Sequence, residues 1–165
     1  MKAFATALSL GVVAALAAAP ATAEAKKAKP TACAAVTEAQ VAAQFDRFNG
    51  AWATKNPDSV AKLFADDAVL LPTVSNKERT DYAGIRDYFV GFLKGSPVGT
   101  INTSTIDIGC NKATRVGLWT VTMTDPATGA KSDVKARYSF VYRLVGNDWK
   151  IDHLHSSMLP ETMGK

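Results

Sequence analysis

The sequence predicts an α+β domain, with helices on one side of a mostly antiparallel sheet. Three observations carry this. Through the first half of the domain, apolar residues recur at helical spacing: Val41, Phe45, Phe48 and Trp52, then Ile85, Tyr88, Phe89 and Phe92. From Ser96-Pro97 onward the period changes to two. Ile106, Ile108 and Cys110 alternate with polar neighbours, as do Trp119, Val121 and Met123, and then Val134, Ala136, Tyr138, Phe140, Tyr142 and Leu144. Finally, helices come first and long strands after, which is the order of segregated layers rather than of βαβ units.

Residues 1–23 read as a secretory signal. They contain Lys2, an apolar run from Leu8 to Ala19 and the small residues Ala21-Thr22-Ala23, which place cleavage after Ala23. The run is shorter than the roughly 20 residues of a membrane span. A flexible leader, residues 24–36, precedes a domain at 37–161 and a tail at 162–165. Thr37 and Gln40 form a capping box for the first helix. Asn56-Pro57-Asp58 opens a short second helix that buries Val60, Leu63 and Phe64. Asp66-Asp67 read as turn residues, and Ala68 to Leu71 as a short strand stopped by Pro72. A polar loop, Thr73 to Arg79, leads to a third helix capped by Thr80 and stopped near Gly95. Asp125-Pro126, Thr128-Gly129 and Gly146-Asn147 mark the turns between the long strands.

The chain has 165 residues, 19 basic and 15 acidic, for a net charge of +4. One domain is expected, and the charge is too small to imply nucleic-acid binding. The one basic cluster, Lys26, Lys27 and Lys29, lies in the leader without aromatic interleaving and reads as solvated. No repeat, heptad array or Gly-rich phosphate loop is present. Export would permit a Cys33–Cys110 disulfide that pins the leader to the sheet, the alternative being two buried thiols.

If Gly146-Asn147 is a two-residue turn, Phe140 faces His153 and Tyr138 faces His155. Both histidines of the chain then lie on the apolar face of the sheet. That arrangement admits a ligand-binding cavity, or acid–base catalysis with His155 as proton carrier and Tyr138 as hydrogen-bond donor. It equally admits two core histidines bonded to Tyr138 or Tyr142. A transition-metal site normally takes a third protein ligand, so no metal or other cofactor is expected. Asp46, Asp107 and Asp152 fall off the apolar faces, which weakens the catalytic reading. Arg79 could hold an anion through its planar fork.

Gly146 to Ser157, together with Phe48-Asn49-Gly50-Ala51-Trp52, Val69-Leu70-Leu71-Pro72-Thr73 and Ile85-Arg86-Asp87-Tyr88-Phe89, resembles the nuclear transport factor 2-like (SnoaL-like) superfamily. Within it the chain is most similar to the calcium/calmodulin-dependent protein kinase II association domain and its free-standing bacterial versions. The resemblance implies a cone-shaped roll, with a cavity lined by Trp52, Tyr138, Phe140, His153 and His155 and with Arg79 at its mouth. It also implies that the outer sheet face, with Arg137, Arg143, Val141 and Leu154, packs against a second subunit in a homodimer or larger ring. The association domain's cavity arginines fall here at Phe140 and Ser156, a departure that speaks against its anion pocket. Two functions follow. One is an exported, periplasmic or secreted, non-catalytic module that binds a small molecule or assembles with itself. The other is a SnoaL-like isomerase, cyclase or dehydratase. Neither nucleic acid nor, after cleavage, a membrane is an expected partner, and nothing resembles a kinase catalytic domain.

Overall fold

The computed structural model describes residues 32–160, so the expected signal segment, its expected cleavage site and the tail lie outside the described residues. Thr37 starts α1 (Glu38–Ala53) through the expected reciprocal box. Its hydroxyl accepts the Gln40 N–H, and the Gln40 side chain accepts the Thr37 N–H. Val41, Phe45, Phe48 and Trp52 form the buried stripe of α1. Asn56 caps the short α2 (Pro57–Ala61). The cap of α3 (Tyr82–Phe92) is Asp81 rather than Thr80. The Asp81 carboxylate accepts the Gly84 N–H at 2.7 Å, one of the donors a helix start leaves unmet. A single 3₁₀ turn, Leu93–Gly95, extends α3.

Six strands make one sheet: β1 (Phe64–Leu71), β2 (Val98–Ile101), β3 (Thr105–Gly109), β4 (Lys112–Thr124), β5 (Lys131–Val145) and β6 (Asp148–Met158). Their order is β1-β6-β5-β4-β2, with β3 also paired to β4. Every pairing is antiparallel except β1 with β6. Two elements differ from the sequence reading. Asp66 and Asp67 lie within β1, not in a turn. The β1–β6 register shifts between Phe64 and Val69, which lets two successive carboxylates both stay exposed. Val98–Ile101 is an additional strand, too short at 4 residues for an alternation to be read.

The helices cover one sheet face, and aromatic side chains fill the space between. Phe48 lies 5.5 Å from Phe140 and 4.7 Å from Trp52, centroid to centroid, and Trp119 lies 5.9 Å from both Trp52 and Phe140. Gly117 on β4 admits the loop after β2. A β-carbon there would stand 2.1 Å from the Thr103 carbonyl oxygen, which accepts the Tyr138 hydroxyl at 2.9 Å. Gly117→Ala is therefore expected to cost about 1–3 kcal/mol by overpacking, read as a lower urea midpoint with an unchanged slope.

Cys33 and Cys110 form a disulfide, which ties the chain before α1 to the β3–β4 turn. Beside it the Asn111 side chain accepts the Ala34 N–H at 2.7 Å and donates to the Ala32 carbonyl. At the opposite turn, Arg47 grips Asp148 with two bonds of 2.7 and 3.1 Å. That guanidinium, helped by Lys150, holds the Asp148 carboxyl at about 2, below its usual range. The contribution to stability is present above about pH 4 and is lost as pH falls toward 2. It is modest, because the pair is about half exposed. A carboxyl-carbon NMR titration should give Asp148 a midpoint near 2, and in Arg47→Gln one near the ordinary value. No described helix is long and apolar enough to cross a membrane.

Candidate functional site

The β5–β6 hairpin begins as its turn dictates. Val145 pairs with Asp148, Leu144 with Trp149 and Tyr142 with Ile151. Beyond Ile151 the register slips by one. Val141 pairs with His153, Phe140 with Leu154, Ser139 with His155 and Tyr138 with Ser156. Asp152 is the extra residue of a β-bulge, and a one-residue slip turns every later side chain to the other face. The bulge has visible anchors. The Asp152 carboxylate lies 3.1 Å from Arg143 Nε and 3.6 Å from Lys112 Nζ, while Leu154 becomes 3 % exposed in the core.

This overturns the placement of the histidines. His153 and His155 face outward, the first half-buried and the second exposed. His155 and Tyr138 therefore stand on opposite faces of the sheet, and the expected proton-carrier pair does not form. Leu154, expected outside, is inside. Trp52, Tyr138 and Phe140 do not line a common cavity with the histidines; each is buried in the aromatic core at 2 % exposure or less. Ser156 also faces inward, where its Oγ accepts the Trp119 indole N–H at 3.1 Å and bonds to the Thr73 hydroxyl.

Arg79 sits away from this interior. Its backbone pairs with Leu70, and its guanidinium donates to the Lys77 and Glu78 carbonyls and lies 5.9 Å from the Tyr88 ring centre. With Tyr88, Phe92 and Met123 it borders a surface groove of about 430 Å³. Burial pushes the Tyr88 phenol above its ordinary pKa, so that group is a hydrogen-bond donor and not a phenolate at neutral pH.

One inward residue escaped the sequence reading. Arg115 is 8 % exposed. Its Nε donates to Ser104 Oγ at 2.9 Å, its Nη1 donates to the Ala42 carbonyl at 3.0 Å, and its guanidinium lies 5.6 Å from the Phe45 ring centre. Extending the alternation of Trp119 and Val121 backwards would have placed it inside. Among the described residues, no three His, Cys, Asp or Glu side chains come together as metal ligands.

The outer sheet face is the broadest remaining feature. Across it run two rows of paired residues: Val69, His153, Val141 and Thr114, then Leu71, His155, Ser139 and Val116. Arg137 and Leu118 pair beyond them. Val116 and Leu118 are 40 % and 37 % exposed. The charges of this face stand at its margins, with Arg143, Lys112, Asp152 and Asp67 at one end and Lys135 and Arg137 at the other.

The family profile for the calcium/calmodulin dependent protein kinase II association domain matches residues 37–160. This chain belongs to that family. A bacterial association domain from Xanthomonas campestris is 47% identical, with a TM-score of 0.73, and the match covers 80% of this chain and 97% of that one. A nuclear transport factor 2-like superfamily protein from Salmonella enterica is 16% identical at a TM-score of 0.65, covering 77% and 96% of the two chains. A protein from Streptomyces avermitilis, described as a dehydratase candidate of the same superfamily, is 11% identical at 0.67, covering 74% and 96%. At such identities these last two show the shared fold alone. No curated protein matches.

In this association domain, Phe140 and Ser156, where the resemblance led cavity arginines to be expected in the family, point inward and carry a packed ring and a bonded hydroxyl. Electrostatics set the outer face apart instead. Burial, and then the neighbouring His155, hold the His153 pKa below its ordinary value of 6.5, with Asp152 opposing. His153 therefore presents a neutral imidazole at neutral pH, which is inexpensive to desolvate.

Proposed function

We propose that this domain is a homo-oligomeric assembly module that works by packing the outer face of its sheet against a second copy. The observation that carries this reading is the face itself. Val116 and Leu118 are exposed beside half-buried Val69, Leu71, Val141 and His153, with charges kept to the margins. Membership of an association-domain family supports the choice of a second copy as occupant. The catalytic reading loses its candidate pair, since His155 and Tyr138 lie on opposite faces. The signal-like segment and the disulfide support an exported location, periplasmic or secreted.

Light scattering on the purified protein is expected to give a mass of two or more subunits. Val116→Asp, which introduces a carboxylate opposite Ser139, is expected to weaken association at least ~100-fold. That corresponds to about 3 kcal/mol, the cost of burying an unpaired charge. The variant should keep the parent's circular dichroism. A strict monomer at high concentration, or a variant that assembles as the parent does, would overturn the proposal.

A further inference from the structure

Arg47, Arg86 and Arg143 each pair with a carboxylate. Arg79 is half-buried and makes no ion pair among the described residues. Its side chain is nonetheless held in place. The stem lies on Gly84, where an added β-carbon would stand 3.3 Å from Arg79 Cδ. Tyr88 is about one helical turn further along α3, and the guanidinium carbon stands 5.9 Å from its ring centre. The side chain therefore runs along α3 from Gly84 to Tyr88. Its bonds to the Lys77 and Glu78 carbonyls both come from Nη1. Nε and Nη2 make no hydrogen bond among the described residues. The edge of the fork that grips a carboxylate by two parallel bonds is thus uncommitted.

The groove that Arg79 borders continues along the helix from Tyr88. Tyr88 and Phe92 stack at 5.4 Å with 21° between their planes. Met123 of β4 supplies the facing wall, with its methyl seated in space that Gly95 leaves: a β-carbon there would stand 2.4 Å from Met123 Cε. At about 430 Å³ the groove falls within the ~300–1,000 Å³ of small-molecule sites. Asp87 is the one carboxylate on its rim, exposed and unpaired with Arg79. A single oriented cation beside an aromatic wall is complementary to a flat monoanion.

We propose that this groove binds a small aromatic monocarboxylate. The carboxylate accepts bonds from Arg79 Nε and Nη2, and the ring lies along Tyr88 and Phe92 toward Met123. A cation would meet the Arg79 charge, and a phosphate dianion would keep an uncompensated charge near Asp87. An aliphatic acid would forgo the aromatic wall. The groove lies on the helical side of the sheet, so its occupancy does not depend on assembly through the outer face.

The test uses the full chain labelled with carbon-13 at its methionine methyls. Met123→Leu assigns the Met123 signal, and Met158, exposed at the end of β6, is the control. 2-Naphthoate is expected to shift the Met123 methyl saturably, through its ring current, while leaving Met158 in place. 2-Naphthamide, the neutral isostere, and Arg79→Gln titrated with 2-naphthoate should each bind at least ~10-fold more weakly. Asp87→Asn, which removes the opposing charge, should bind at least as tightly as the parent. A Met123 signal unmoved by millimolar 2-naphthoate would overturn the proposal. So would weaker binding by Asp87→Asn, or a shift that 2-naphthamide or Arg79→Gln reproduces at the same concentrations. The amide is titrated into the unaltered protein, so that comparison holds even where Arg79→Gln fails to fold.

Discussion

Phe140→Ala is expected to lower the free energy of unfolding by about 3–5 kcal/mol. The ring is wholly buried and meets five others: Phe45, Phe48, Trp119, Tyr138 and Tyr142. Against Tyr142 it stacks nearly parallel, at 3° and 5.5 Å. Truncation removes transfer free energy and leaves a void between a helix and a sheet, neither of which can close it alone. The urea midpoint should fall with the slope unchanged. A loss below about 1 kcal/mol would show that the ring faces open space, as a cavity-lining residue would.

Replacing Cys33 and Cys110 by serine is expected to cost up to about 4–5 kcal/mol. The bridge joins positions 77 apart, and the loop entropy it removes from the unfolded chain grows with that span. The closed loop contains all three helices and the first three strands, so the effect falls on the whole domain. The unbridged protein should also unfold with a steeper urea slope, because its denatured state is more expanded. Urea curves with and without reductant provide the check. Coincident curves would mean that the bridge constrains nothing that unfolding releases.

The sequence was most legible where a single local rule decides the outcome. The capping box at Thr37, the apolar stripe of α1, the Gly146-Asn147 turn and the alternation of β5 all stand as read. The disulfide was legible from two cysteines and an export-like leader. What failed was the projection of one rule past its range. Pairing counted outward from the turn is right as far as Ile151 and inverted beyond it, because the bulge at Asp152 lies against Arg143 across the hairpin and Lys112 on the next strand, contacts that alternation along one strand does not reveal. That inversion moved both histidines out of the candidate site and brought Leu154 in. Asp66-Asp67 misled for a related reason: a strand whose edge pairing lapses can carry adjacent carboxylates. Arg115 was missed because an arginine on an apolar face is read as an interruption, although Ser104 and the Ala42 carbonyl accept its bonds.

The parallel pairing of β1 with β6 also bears on the order in which the chain can mature. Among the described residues β1 has one strand neighbour, β6, the last of the six strands to be made. A ribosome adding roughly 5–20 residues per second emits Leu71 several seconds before His155, the residue beside it in the finished sheet. Until then, buried-to-be Ala68 and Leu70 are held by no sheet, and the helices have only part of their floor. The sheet at this edge therefore cannot close until β6 has been made.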